Sequence, residues 1–302
     1  MTPHRHIALL LSAMVLAGCA HHTEPPPPHG LFGVGGGRSL FLDCQGGGSA
    51  PVFIIPGKGS YAEVWNVAVP LDDPIRSSPY DIIEQARLGP SPDAVQPTLA
   101  KHSRVCAYDR PNTRPDGPDR STPVGQPHDV AADVDDIVAL IGAARLPGPF
   151  VVVAHSYGGL IADLLARTHP ELVSALVMVD PVSEFLPQVG SSAQNAAFDR
   201  DGRVPPIPDG EGVLYDDAFR RIGNAPPLPS VPAAVLSSGK FVPPQMLTPE
   251  NYTRAQIHRA NDMLAAALHA SNTVIADSGH NVMLYDPAVV VHTVEAVQAR
   301  LR

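Results

Sequence analysis

The sequence predicts an α/β domain, with a mostly parallel sheet covered by helices on both faces. Three observations point there. Seven strand-like segments recur along the chain, and several are continuous apolar runs such as PVFII and FVVVA, which suit strands buried on both faces. Helical patterns alternate with them, as the connections of a parallel sheet require. A length of 302 residues, 44% of them hydrophobic, is enough for one such domain with a sizeable core.

Taken in order, residues 1–18 read as an export signal. His4, Arg5 and His6 precede an apolar run over residues 7–16, too short to span a bilayer, and Ala17 and Gly18 lead to Cys19. Leu-Ala-Gly-Cys at 16–19 resembles the lipobox of bacterial lipoproteins. That resemblance implies cleavage before Cys19 and a diacylglyceryl group on its sulfur; an ordinary cleaved signal with a coincidental cysteine is the other reading. Residues 19–30 carry four consecutive prolines and suit a stiff tether. The expected location is therefore extracytoplasmic, with the protein held to a membrane by its lipid.

Residues 31–302 are read as the folded domain. The glycine run GVGGGRS (33–39) lacks the strand–helix context of a nucleotide loop and is read as a hairpin turn. Strand-like segments follow at 39–44, 51–57, 103–109, 150–156, 175–180, 233–238 and 272–277. Helical patterns lie at 129–145, 158–170 and 286–301; in the first, Val134, Ile137, Val138 and Ile141 share a face and acids occupy the first turn, where the helix dipole favours them. Residues 71–97 and 183–230 break the alternation. The second, rich in Gly and Pro, is read as a cap inserted over one end of the sheet.

Candidate chemistry centres on FVVVAHSYGGLIADLLA (150–166). Ser156 stands between a buried strand and a helix, where a tight turn pushes its hydroxyl out of the sheet beside the free N–H groups of the helix start. Gly158 and Gly159 allow that turn. Ala-His-Ser-Tyr-Gly-Gly resembles the nucleophile elbow of the α/β-hydrolase family, with Ala154 where the first glycine is usual. The resemblance covers most of 31–302 and implies an eight-stranded, mostly parallel sheet with a small cap. It also implies a triad in the chain order serine, acid, histidine.

His280, in Ser-Gly-His after the last strand, then becomes the base. Asp180, at the tip of VMVDP, resembles the acid in the placement after the sixth strand. Glu184 is the first reserve, Asp277 and Glu250 are weaker ones, and a strand-end turn cap remains the plain alternative for Asp180. The oxyanion hole would use the backbone N–H of Tyr157 and of Lys58, the latter in the loop IIPGKGS after the third strand. The Lys58 ammonium is expected at solvent or near an acidic substrate. Asp109 and Arg110 are expected to be structural.

In this fold the second and fourth strands are neighbours, which brings Cys44 and Cys106 near enough for a disulfide; two separate buried thiols stay open. The net charge of −9, without a basic stripe, argues against nucleic-acid binding, and no motif calls for a metal or another cofactor. The expected function is hydrolysis of a small-molecule carboxylic ester by a serine triad. Amidase, peptidase or perhydrolase chemistry at the same site, or a silent binding lipoprotein, are the alternatives; oligomeric state is not legible.

Overall fold

The computed structural model describes residues 26–205 and 207–301, so the signal, Cys19 and most of the tether lie outside the described residues. Eight strands build the main sheet: β1 His29–Gly35, β2 Arg38–Gln45, β3 Val52–Ile55, β4 Val105–Asp109, β5 Phe150–His155, β6 Val173–Val179, β7 Ala233–Ser238 and β8 Asn272–Ile275. Their spatial order is β1-β2-β4-β3-β5-β6-β7-β8. The pairs β1–β2 and β2–β4 are antiparallel and all others parallel. β1 begins at His29, so the last two residues of the expected tether belong to the sheet. The glycine run closes the β1–β2 hairpin, with Gly35 opposite Arg38 and positive φ at Gly36 and Gly37.

Continuous apolar strands are explained by the two cores they serve. Successive side chains of a strand point to opposite faces. Phe53, Ile55 and Val152 join Leu160, Ile137 and Leu140 on one face, whereas Val52, Ile54, Val151 and Val153 join Trp65, Val290 and Val294 on the other. The first face is covered by α2 (Val130–Ala143) and α3 (Gly158–Thr168), and the second by α1 (Val95–Leu99) and α9 (Pro287–Ala299). Asp129 caps α2 by accepting from the N–H groups of Ala131 and Ala132, both at 3.0 Å. Cys44 and Cys106 are direct partners across β2 and β4 and form a disulfide.

Two irregular stretches frame the ends of the parallel strands. Residues 71–97 contain short 3₁₀ turns, half of a two-residue ribbon (Val67–Ala68 with Gly89–Pro90) and the start of α1. Between β6 and β7, where little periodicity is visible in the sequence, lie α4 (Leu186–Val189), α5 (Ser192–Gly202) and α6 (Tyr215–Gly223). α7 (Arg254–Ala267), which the sequence reading did not set out, joins β7 to β8, and α8 (Val282–Tyr285) precedes α9. α5 and α7 each start with a complete capping box, Ser191 with Gln194 and Thr253 with Gln256. That Ser/Thr-x-x-Gln spacing is the signal that would have found them.

Candidate active site

Ser156 follows β5 and is separated from α3 by the single residue Tyr157, with φ of 53°, a left-handed conformation that a non-glycine residue holds only when its surroundings force it. The turn is locked from both sides. The Ser156 carbonyl accepts from the N–H groups of Gly159 and Val182, each at 2.9 Å. Glycine is required behind it, since a Cβ on Gly158 would lie 2.4 Å from the Ile55 carbonyl oxygen and one on Gly159 2.6 Å from Pro181. Ala154 is fully buried in the ladder between Ile55 and Met178, so its methyl group is accommodated.

Asp180 directly follows β6, also in a left-handed conformation (φ 40°), and is buried. Its Oδ1 accepts from the Ser238 N–H at 2.9 Å. Its Oδ2 accepts from the Ser238 hydroxyl at 2.9 Å and from His280 Nδ1 at 2.7 Å. Because an ionised carboxylate can only accept, Nδ1 carries the proton and Nε2 of the neutral ring is left as a free base. Burial pushes the Asp180 carboxyl up, but the hydrogen bond from His280, its charge and the two Ser238 bonds outweigh burial and leave it below the ordinary value. Desolvation by the surrounding protein pulls the partly exposed His280 imidazole down. The Asp180 hydrogen bond and charge, with the charge of Asp81 behind them, overcome this and hold it above its ordinary 6.5.

Of the reserve acids, Asp277 is exposed and the two glutamates meet arginines. Glu184 meets Arg167 at 2.6 Å and Glu250 meets Arg200 at 3.1 Å. His155 packs its ring 4.6 Å from that of His280, and its Nε2 donates to the His280 carbonyl at 3.0 Å. Burial, then the charge of His280, push His155 down to about 3, which favours its neutral form. Asp81, which the sequence reading passed over, accepts from the His280 N–H at 2.7 Å and from the Tyr285 hydroxyl at 2.9 Å. It thereby ties the 71–97 segment to the histidine loop.

The loop after β3 runs against the serine. A Cβ on Gly57 would sit 2.7 Å from His155 Nδ1 and 3.0 Å from Ser156 Cβ, so Lys58 follows a residue in contact with the turn. The half-buried Lys58 side chain lies at an exposed edge of the cap, where its ammonium donates to the carbonyls of Asp201 and Val204 at 3.3 and 2.8 Å. Arg110 and Asp109 are buried, as structural residues would be. Arg110 pairs with Glu211 of the cap at 2.6 Å, and Asp109 holds the Ala62 N–H at 2.7 Å and Arg114 at 2.6 Å. The Tyr157 hydroxyl donates to Asp133 at 2.5 Å. Glu211 carried no sequence signal.

Ser156, Asp180 and His280 all line one cavity of about 410 Å³. Its walls include Val182, Leu186 and Phe198 on the cap side and Phe241, Leu247 and Tyr252 between β7 and α7. A hydroxyl, an imidazole held by a carboxylate, and an apolar chamber can together take an acyl group and move a proton to and from it. Among the described residues, no group of three or more His, Cys, Asp or Glu is placed to hold a metal ion.

Comparison with known proteins agrees with this architecture. Lipase LipV of Mycobacterium tuberculosis is 42% identical over 60 residues, 20% of this chain and 23% of that protein. An uncharacterized protein of Schizosaccharomyces pombe is 35% identical over 86 residues, 28% of this chain and 15% of that protein. The matched stretches thus span less than a quarter of either relative. Among solved structures, epoxide hydrolase CorEH superposes with a TM-score of 0.56 at 15% identity, covering 91% of this chain and 99% of that one. A thermophilic esterase from Thermogutta terrifontis does so at 0.51 and 17%, covering 87% and 94%. Both share the fold. The family model of the alpha/beta hydrolases matches residues 52–293, from β3 to within α9, and the chain belongs to the alpha/beta hydrolase family.

Proposed function

We propose that this hydrolase cleaves carboxylic esters through an acyl-enzyme formed on Ser156. His280 Nε2 takes the hydroxyl proton as Ser156 Oγ bonds to the ester carbon, and returns it to the departing alkoxide so that the alcohol leaves neutral. Water then repeats the sequence and frees the acid. Asp180 holds the Nδ1–H tautomer and stabilises the imidazolium, while the N–H groups of Lys58 and Tyr157 receive the oxyanion. The observation that carries this reading is the 2.7 Å contact of His280 Nδ1 with buried Asp180, in a cavity that Ser156 also lines. The name of lipase LipV favours an ester over other acyl substrates.

A fluorophosphonate probe should label the protein, and Ser156→Ala should abolish both labelling and turnover of a short p-nitrophenyl ester. His280→Ala should match it, and the double variant should lose little more, because a triad acts as a unit. An unlabelled protein would support a silent binding role instead. Turnover of an anilide at a rate near that of the ester would move the reading to amide hydrolysis. The lipidated Cys19 anchor remains part of the proposal; among the described residues, no helix is long and apolar enough to cross a membrane.

A further inference from the structure

We propose that the buried Arg110–Glu211 pair is the device that orients the oxyanion-binding N–H of Lys58, so that the cap, through Glu211, sets the geometry of the acyl-transfer site. This rests on the reading of Lys58 given above. Gly57 cannot be anything but glycine, because a Cβ there would strike His155 and Ser156. Glycine, however, leaves the following peptide free to rotate. The Ser60 N–H closes a turn on the Gly57 carbonyl at 3.1 Å, and the second lone pair of that oxygen is open to a further group that fixes the peptide whose N–H is assigned to the oxyanion.

Arg110 is placed to do so. Its Nη1 donates to the Pro56 carbonyl at 2.7 Å and its Nη2 to the Gly57 carbonyl at 2.5 Å. The Gly57 carbonyl and the Lys58 N–H belong to one planar trans peptide and point in opposite directions. Holding the oxygen on the guanidinium therefore aims the N–H away from Arg110 and fixes its direction beside Gly57, whose own α-carbon lies against Ser156. A cation on the oxygen also polarises the peptide and strengthens its N–H as a donor. Glu211 fixes the guanidinium in turn, through Nε at 2.6 Å and Nη2 at 3.1 Å, and its Oε2 accepts from the Gly59 N–H at 2.6 Å. Pro56, Gly57 and Gly59, which flank Lys58 on both sides, are thus held by one pair. The guanidinium carbon also lies 5.5 Å from the centre of the Tyr157 ring, so the same group touches the residue that supplies the second donor.

A pair that merely stabilises the fold and one that positions a donor make different predictions. Breaking one partner strands a buried charge, whereas replacing both by apolar groups is often neutral for stability. The test is therefore Arg110→Met combined with Glu211→Leu, beside Glu211→Gln alone. Thermal melting, kcat and KM for the p-nitrophenyl ester are measured, with inhibition by a trifluoromethyl ketone, which forms an oxyanion on Ser156, and by its ether isostere, which does not. In the folded double variant kcat should fall about 10²- to 10³-fold, the range for loss of one oxyanion donor, with KM nearly unchanged. Ketone affinity should fall with kcat and ether affinity should hold.

A folded double variant with kcat near that of the parent, or one that loses ether and ketone affinity alike, overturns the proposal. Should the double variant fail to fold, Glu211→Gln decides: lower kcat at constant KM supports the proposal, and unchanged kcat overturns it. Inactive, unlabelled Ser156→Ala keeps the serine reading standing whichever way these variants fall. Full turnover by Ser156→Ala would remove both.

Discussion

Asp180→Asn is the sharpest probe of the acid, because both orientations of the new amide are penalised by contacts already described. With its oxygen towards the Ser238 N–H, the amide turns its NH2 on His280 Nδ1. Nδ1 must then accept, Nε2 carries the proton, and the ring can no longer take one from Ser156. In the reverse orientation the NH2 faces the Ser238 N–H at 2.9 Å, donor against donor. Leaving that buried donor unmet costs about 1–3 kcal/mol, a factor of roughly 5 to 150 in the population of the competent tautomer. The competent fraction has also lost the anion that stabilises the imidazolium, and the same exchange in a Ser-His-Asp protease lowers kcat by about 10⁴. The assay is steady-state turnover of a p-nitrophenyl ester, with circular dichroism to show an intact fold, beside Glu184→Gln. We expect Asp180→Asn to fall by at least about three orders of magnitude and Glu184→Gln to stay near the parent. An Asp180→Asn protein retaining a tenth of kcat, or an inactive Glu184→Gln, would refute the reasoning.

Other outcomes follow from the same contacts. The rate should rise with pH through an acid limb set by His280, above its ordinary 6.5, and Asp81→Asn should move that limb to lower pH by removing a carboxylate that favours the imidazolium. Depressed Asp180 contributes stability above its unfolded 3.8 that is lost as pH falls through the folded value, and raised His280 contributes below 6.5 what is lost as pH rises through its own. The melting advantage of the parent over Asp180→Asn should therefore be greatest between those two values. Replacing Cys44 and Cys106 together by alanine should cost about 4 kcal/mol in a denaturant titration, from a cross-link closing 62 residues of separation. Cys19→Ala should shift the protein from the membrane to the soluble fraction of expressing cells, read by a blot that would show no change if another element anchors it.

What could be read from the sequence was what is written locally. The strand segments, the elbow at Ser156 and the loop of His280 rest on runs of a few residues, and each has its place in the fold; the Cys44–Cys106 pairing, 62 residues apart, was reached only through the strand order that the resemblance implied. The partners that hold them are long-range. Glu211 meets Arg110 across 101 residues, and Asp81 meets the His280 N–H across 199, and nothing near either acid marks it. The cap helices escaped for another reason. α5 is mostly polar, so the apolar stripe that reveals a helix is thin there, whereas α6 carries Tyr215, Ala218, Phe219 and Ile222 at helical spacing, a signal that was legible and was passed over among the Gly and Pro clusters around it. The acceptors of the Lys58 ammonium, the carbonyls of Asp201 and Val204 in the cap, stand 143 and 146 residues away and are equally invisible locally.

The ties between the cap and the loop after β3 bear on how this enzyme could be re-engineered. Exchanging the cap of a hydrolase is an attractive route to new substrates, on the view that the insertion chooses the ligand and the sheet performs the chemistry. In this chain the two are not separable modules. A grafted segment lacking a carboxylate at the place of Glu211 would leave the Arg110 guanidinium uncompensated in the interior and the Gly59 N–H without its acceptor. Chimeras should therefore be designed with that acid carried over, and libraries that randomise the cap should hold position 211 fixed.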